Sequence, residues 1–152
     1  MRIINDIIIH CSASPMGRDD SADDIRRWHR QQGWADIGYH YVVRLDGTVE
    51  YGRYVSKAGA HCRGHNAHSI GVCYVGGIGA HGRPCDTRTP AQKSALLKLV
   101  TQLIYKYRCR VHGHNEYDKN KDCPCFDVQK EYGRLYEQIV LGDIKMRKNA
   151  IK

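Results

Sequence analysis

The sequence predicts a single α/β domain, and three observations support this fold class. A chain of 152 residues has the usual length of one domain and is long enough to bury one core. Its apolar fraction of 41% is typical of a globular protein and not of a disordered chain. Short apolar runs of strand character alternate along the chain with segments whose apolar residues recur at helical spacing.

The first two predicted elements are a strand and a capped helix. Residues 3–9 are rich in isoleucine and predict a buried strand that has His10 at its end. After a polar loop, Ser21 is suited to cap a helix, and Asp24 places an acid in the first turn. Gly33 ends this predicted helix.

A hairpin and a further strand follow. Within residues 39–53, two apolar runs flank Asp46 and Gly47, a dipeptide that favours a tight hairpin turn. Residues 55–69 form a loop of low periodicity with three histidines, and residues 70–75 predict a buried strand. We expect this histidine-rich loop to form the wall of a cleft.

The longest helix should begin at Thr89. Thr89 is suited to be the cap, Pro90 the first helical residue and Gln92 the third, which together predict a capping box. Apolar residues then recur on one helical face at Leu96, Leu99, Val100, Leu103, Ile104 and Tyr107. Residues 110–114 predict a short strand and residues 127–140 a last helix. We therefore divide the chain into a domain, 1–141, and a basic, mobile tail, 142–152.

The formal charge of +8 predicts an anionic partner, and three classes fit: nucleic acid, a membrane surface or the bacterial wall with its acidic polymers. Nucleic acid is disfavoured, because the sequence has no basic region with heptads, paired-cysteine finger or aromatic single-strand platform. No run approaches the roughly 18 apolar residues of a membrane helix, so we expect no stable membrane insertion.

The amino-terminal residues lack the apolar region and cleavage site of a signal peptide, so we expect synthesis in the cytoplasm. Seven cysteines occur, an odd number, without a secretion signal. Free thiols together with one metal ligand fit this pattern better than a disulfide framework.

Three residues predict a metal site. His10 and His114 lie at the ends of predicted strands, and Cys123 follows His114 closely, with Pro124 behind it to stiffen the turn. Two nitrogens and one sulfur make three corners of a tetrahedral zinc site, and a fourth corner left to water is typical of catalytic zinc. The scarcity of carboxylates nearby favours zinc over magnesium or calcium.

Other residues remain as alternatives at this point. His112 lies two residues before His114, so on a strand it faces the same side. Cys11 and Cys125 are alternative thiols, and Cys123 with Cys125 has the spacing of a redox pair or of half a four-thiol site.

Several short motifs resemble, in the same order, those of the zinc-dependent N-acetylmuramoyl-L-alanine amidases of the bacteriophage-lysozyme and peptidoglycan-recognition-protein type. These motifs are residues 9–13, 25–29, 33–41, 46–50, 66–77, 89–92, 114–116 and 123–124. The resemblance extends from about residue 3 to residue 136. It implies a central mixed β-sheet flanked by helices, with a zinc cleft on one face.

The resemblance also implies an activity, hydrolysis of the amide between N-acetylmuramic acid and L-alanine in peptidoglycan. It places one zinc ion on His10, His114 and Cys123, and catalytic roles on Tyr39 and Lys121. The loop that contains Lys121 is one residue longer than in the phage pattern, so this lysine is aligned from the cysteine side.

Two further positions, His61 and Asn66, resemble the residues that line the family's cleft and contact the muramyl peptide. The implied protein is a monomeric endolysin of a phage or prophage, which acts on the wall after another protein opens the membrane. The alternative is a recognition module that binds peptidoglycan without cutting it. Members of that branch typically lack the thiol ligand, whereas Cys123 and Tyr39 are present here, so the sequence favours the enzyme.

Overall fold

The computed structural model describes residues 1–151. The strands in these residues are β1 Asp6–Cys11, β2 Ser14–Pro15, β3 Tyr41–Val43, β4 Val49–Tyr51, β5 Ser69–Tyr74, β6 Gly77–Ile78 and β7 Arg110–Gly113. Five of them form a central sheet of order β4-β3-β5-β1-β7, in which only the hairpin pair β3 and β4 is antiparallel. Strands β2 and β6 form a small second sheet. This arrangement confirms the predicted α/β fold with a mixed sheet.

The described residues also form five α-helices: α1 Ala22–Gln31, α2 Pro90–Tyr107, α3 His114–Tyr117, α4 Val128–Tyr132 and α5 Gly142–Ile151, with a π-helical segment Glu137–Leu141 before the last. The main core includes inward-facing residues of β1, β5, α2 and α4. A smaller apolar cluster joins α1 to the sheet through Ile25, Ile37, Val42 and Val75. Within residues 1–151, no helix has the length and apolar character needed to cross a membrane.

Strand β1 lies between β5 and β7, and all six of its residues are buried. It was expected over residues 3–9 but begins at Asp6 and continues through Cys11. The start is set by pairing, because Asp6 is opposite Ser69, the first residue of β5. His10 therefore lies inside the strand, where it is 1% exposed, and not after it.

Both predicted helix starts are confirmed. The Ser21 hydroxyl accepts from Asp24 N at 3.0 Å, and the Asp24 carboxylate accepts from Ser21 N at 2.9 Å. Thr89 and Gln92 make the same reciprocal pair. In α2, the buried Gln92 amide also donates to the carbonyls of Val43 and Val75, which ties the helix to the sheet. The hairpin around Gly47, whose φ is +87°, is confirmed as well.

The carboxy-terminal segment differs from the prediction. The expected helix over 127–140 is interrupted, because α4 ends before Gly133 and the chain resumes as a π-helical segment. Gly142, expected to begin a tail, has helical φ and ψ of −63° and −44° and leads into α5. Asp143 of α5 accepts from Arg108 at 2.6 Å. The mobility of residues 142–152 stays a prediction, and Lys152 lies outside the described residues.

Candidate metal centre and its cleft

The fold brings His10, His114 and Cys123 together at the carboxyl ends of β1 and β7. These strands are parallel neighbours with Ile9 opposite Gly113. The next residue along the chain is His10 in one case and His114 in the other, so the two histidines lie side by side. Cys123 comes from the loop after α3. One potential ligand atom from each of the three residues lies within 4.8 Å of the other two. The three side chains that the sequence singles out are therefore close enough to share one metal ion.

Cys123 is oriented by backbone contacts. Its Sγ accepts a hydrogen bond from Cys11 N at 3.2 Å and lies 3.8 Å from His10 Nδ1. Its carbonyl accepts from Asn115 N at 2.8 Å, which ties the thiol loop to the first turn of α3. The sulfur is thus held on the Nδ1 side of the His10 ring.

The imidazoles of this centre are neutral. Burial, together with the neighbouring His61 and His114 rings, holds the pKa of His10 well below its usual value. Burial also lowers the pKa of His114 and lowers that of His61 to about 3. A neutral imidazole is the form that binds a metal, so burial keeps His10 and His114 in the form suited to this role.

A cleft of about 610 Å³ opens beside this centre. Its lining includes Tyr39, Lys121, His61, Asn66 and His114, so the structure brings all four predicted non-metal residues to one surface. The Tyr39 ring centroid lies 5.2 Å from that of His10. Burial, followed by the nearby cysteine thiols, raises the pKa of Tyr39 well above its usual value. Its phenol is therefore protonated at neutral pH and can donate a hydrogen bond.

His61 and Asn66 are engaged within the protein. His61 Nδ1 lies 2.8 Å from His10 Nε2, and His61 Nε2 lies 3.2 Å from Ser69 Oγ. The Asn66 side-chain oxygen accepts from the backbone N–H groups of His61 and Cys62, at 2.9 and 3.0 Å. Both ring nitrogens of His61 are therefore occupied within the protein, whereas the Asn66 amide nitrogen is outside these bonds. The substrate contacts expected of the two residues stay predictions.

The alternative ligands have other partners. His112 Nδ1 lies 2.6 Å from Asp6, and this hydrogen bond raises the pKa of His112. His114 does not continue the strand alternation assumed from sequence, because α3 begins at that residue. A hydrogen bond with Cys123, followed by burial, raises the pKa of Cys11, and burial raises that of Cys125 to about 12. Among the described residues, Cys123 is the cysteine whose sulfur groups with ligand atoms of both His10 and His114.

The lining of the cleft also includes Trp34 and Tyr117, which sequence reasoning did not single out, and Arg63 from the histidine-rich loop that was expected to form its wall. Tyr117 lies three residues after His114 on α3, so helical spacing would have found it. Its hydroxyl donates to Asp6, and its ring stacks on His65 with centroids 4.0 Å apart. Trp34 lies within a motif that carries the resemblance, but its exposure, 39%, is a property of the tertiary structure.

Comparison with known proteins identifies the family. A profile of the N-acetylmuramoyl-L-alanine amidase family matches residues 1–126. The chain belongs to this amidase family. Among its relatives, the endolysin of Klebsiella phage KP32 is 44% identical over 124 residues, which are 82% of each chain. The endolysin of Escherichia phage T7 is 43% identical over 125 residues, again 82% of each.

Solved structures agree with this membership. The endolysin amidase LysCS from Clostridium intestinale URNW superposes with a TM-score of 0.69 at 30% identity, covering 80% of this chain and 74% of that one. The resemblance to the amidase family drawn from the motifs is confirmed. The family match contains every predicted site residue, from His10 to Cys123, and ends before α4.

Proposed function

We propose that this amidase is zinc-dependent and hydrolyses the amide between N-acetylmuramic acid and L-alanine in peptidoglycan. The observation that carries the proposal is the convergence of His10, His114 and Cys123 beside a cleft, in a chain that belongs to the amidase family. Endolysin relatives at 43 and 44% identity support action on the bacterial wall. The formal charge of +8 suits a surface that carries acidic polymers.

The donor set fits zinc. His10 Nδ1, a ring nitrogen of His114 and the Cys123 sulfur would hold the ion, and nitrogen with sulfur favours zinc over oxygen-seeking cations. Three protein ligands leave one position for water or substrate, as catalytic sites require. A bound zinc ion supplies a Lewis acid that polarises a carbonyl and lowers the pKa of water.

Tyr39 and Lys121 act on the substrate from the cleft. The protonated Tyr39 phenol is a hydrogen-bond donor beside His10, suited to orienting water or the scissile carbonyl and not to acting as a free base. Lys121 lines the same cleft with a positive charge, which stabilises the negative oxygen that develops during amide hydrolysis. Asn66 remains a proposed substrate contact through its amide nitrogen.

The competing function is recognition of peptidoglycan without cleavage. Cys123 argues against it, because its sulfur is held 3.8 Å from His10 Nδ1, as a third ligand would be. We propose that the protein acts as an endolysin, as a monomer, on the wall after its release through the membrane.

The test is digestion of purified peptidoglycan by the zinc-loaded protein, followed by mass spectrometry of the soluble products. The proposal predicts stem peptides that begin with a free L-alanine amino group and carry no muramic acid. Removal of zinc with a chelator should stop their release, and added zinc should restore it. A protein that bound the walls but released no such peptides would be a recognition module instead.

A further inference from the structure

We propose that His61 is a positioning residue, which accepts a hydrogen bond from His10 and thereby holds the His10 ring with its other nitrogen facing the metal. The inference rests on the proposed function in one respect, that His10 is a metal ligand. It replaces the role of direct substrate contact that the sequence assigns to His61.

The first observation is the contact between the two rings. His10 Nε2 and His61 Nδ1 are 2.8 Å apart, and the ring planes are nearly perpendicular at 87°. The opposite nitrogen of His10, Nδ1, is the one that faces Cys123. A neutral ring that coordinates through Nδ1 carries its proton on Nε2, so His10 donates and His61 accepts.

The second observation gives the same direction for the hydrogen bond between His10 and His61, this time from the contacts of Ser69. Ser69 Oγ lies 2.6 Å from the carbonyl oxygen of His65, which can only accept, so the Ser69 hydroxyl donates there. Ser69 Oγ then accepts from His61 Nε2 at 3.2 Å. With its proton on Nε2, the His61 ring presents a bare Nδ1 to His10. A backbone carbonyl thus sets the orientation of the entire chain of hydrogen bonds.

The third observation is that the His61 ring has little freedom to move. His61 is 8% exposed. A Cβ added at Gly71 of β5 would lie 2.6 Å from two atoms of the ring, so the ring packs directly on the strand backbone. The Asn66 side chain holds the His61 backbone N–H at 2.9 Å. Because the His61 ring is packed on β5 and its backbone is held by Asn66, His61 can hold the His10 side chain in one rotamer.

The test compares His61→Leu with His61→Asn. The Asn side-chain oxygen occupies the place of Nδ1 and can accept from His10, whereas Leu has nearly the same shape and no acceptor. Zinc affinity is measured for the full-length proteins by competition with a chromophoric chelator. Leu should weaken zinc binding by about 10–100-fold, the usual cost of a lost partner of a ligating histidine, and Asn should restore most of it.

A second readout separates positioning from substrate contact. With zinc in excess, His61→Leu should lower kcat on peptidoglycan fragments and leave KM near the wild-type value, because the ring contacts His10 and not the substrate. Circular dichroism and thermal unfolding of the zinc-free proteins show whether either variant is misfolded. Far-ultraviolet spectra that match the wild type are expected for both.

The inference is overturned if Leu binds zinc as tightly as the wild type, or if Leu and Asn lose the same affinity. A raised KM with unchanged zinc affinity would return His61 to the substrate-contact role. A wild-type protein that bound no zinc would overturn this inference and the proposed metal centre together. One that bound zinc in this manner but released no stem peptide would overturn only the proposed activity.

Discussion

Two buried polar clusters in this protein use opposite chemistry. Around Arg88, whose side chain is 1% exposed, the guanidinium pairs with Asp86 and Glu131 and lies 3.4 Å from the centroid of the Phe126 ring. Around His10, a buried imidazole contacts another imidazole and a thiol. The first cluster is charged and paired, whereas the imidazoles of the second are neutral.

The difference shows what each cluster can do. The Asp86 and Glu131 carboxylates each accept two hydrogen bonds from the Arg88 guanidinium. The charges of this cluster are therefore paired within the protein, and the cluster ties α4 to the segment before α2. At His10 no carboxylate holds a proton on the rings, and burial keeps them neutral. Lone pairs of nitrogen and sulfur at this cluster are the donors that the proposed metal ion would use. The comparison therefore predicts that substitutions around His10 lower the catalytic rate, whereas substitutions around Arg88 lower the free energy of unfolding.

The largest expected effect on activity follows from Cys123→Ser. Loss of the sulfur removes one of the three proposed ligands, so the rate should fall by more than the roughly 100-fold that loss of a ligand's hydrogen-bond partner costs. Zinc retention after dialysis should fall with it. Cys125→Ser is the matched control, because that thiol lies two residues away and outside the group of candidate ligands. Full activity of Cys123→Ser would show that the thiol is not a ligand.

Tyr39→Phe should act on the rate alone. Removing one hydroxyl that donates to the reacting group should lower kcat by roughly 10²–10³-fold, as loss of an oxyanion-hole donor does. Zinc affinity should stay at the wild-type value, because the three proposed ligands, His10, His114 and Cys123, are unchanged in this variant. Measuring kcat and bound zinc on the same preparation separates this variant from Cys123→Ser. Weakened zinc binding by Tyr39→Phe would contradict the assignment.

Lys121→Met tests the positive charge in the cleft. The rate should fall by roughly 10²-fold, the lower end of the range for a lost stabiliser of developing negative charge, because this side chain is exposed and solvent screens it. Lys119→Met is the control, since Lys119 lies in the same loop but outside the lining of the cleft. Equal effects of the two changes would assign the role to net charge and not to Lys121.

A feature can be predicted from sequence more readily when the residues that determine it lie close together along the chain. The helix caps at Ser21 and Thr89 involve residues three apart, and both are correct. The start of β1 depends on Ser69, more than sixty residues away, and was placed too early.

The same limit applies to the site. The motifs that carry the family resemblance identify His10, His114 and Cys123, and adjacent parallel strands bring the two histidines together. The hydrogen bond from His10 to His61 joins residues 51 apart and leaves no periodic signal. The hydrogen bond from Arg88 to Glu131 joins residues 43 apart and likewise leaves no periodic signal in the sequence. Sequence thus gives the reactive groups, and only the fold gives the partners that orient them.

The smallest expected effect lies at the charged cluster. Hydrogen bonding to Arg88 lowers the pKa of Glu131 below its usual value, so its ionised form is favoured in the folded state. That stabilisation is present above the unfolded pKa of about 4.3 and is lost as pH falls through the lower folded pKa. Glu131→Gln should therefore reduce the free energy of unfolding at neutral pH by about 1 kcal/mol, a value discounted because the Glu131 side chain is 38% exposed.

The difference between wild type and Glu131→Gln should shrink as the pH is lowered toward acid. Denaturant unfolding of the zinc-free proteins over a pH series measures it, with Glu137→Gln as an exposed control. Zinc affinity and kcat of Glu131→Gln should match the wild type at neutral pH, because the Arg88 cluster shares no residue with the metal centre. Loss of zinc in this variant would mean that the two clusters are coupled, and that paired charge at Arg88 helps to hold the neutral site in place.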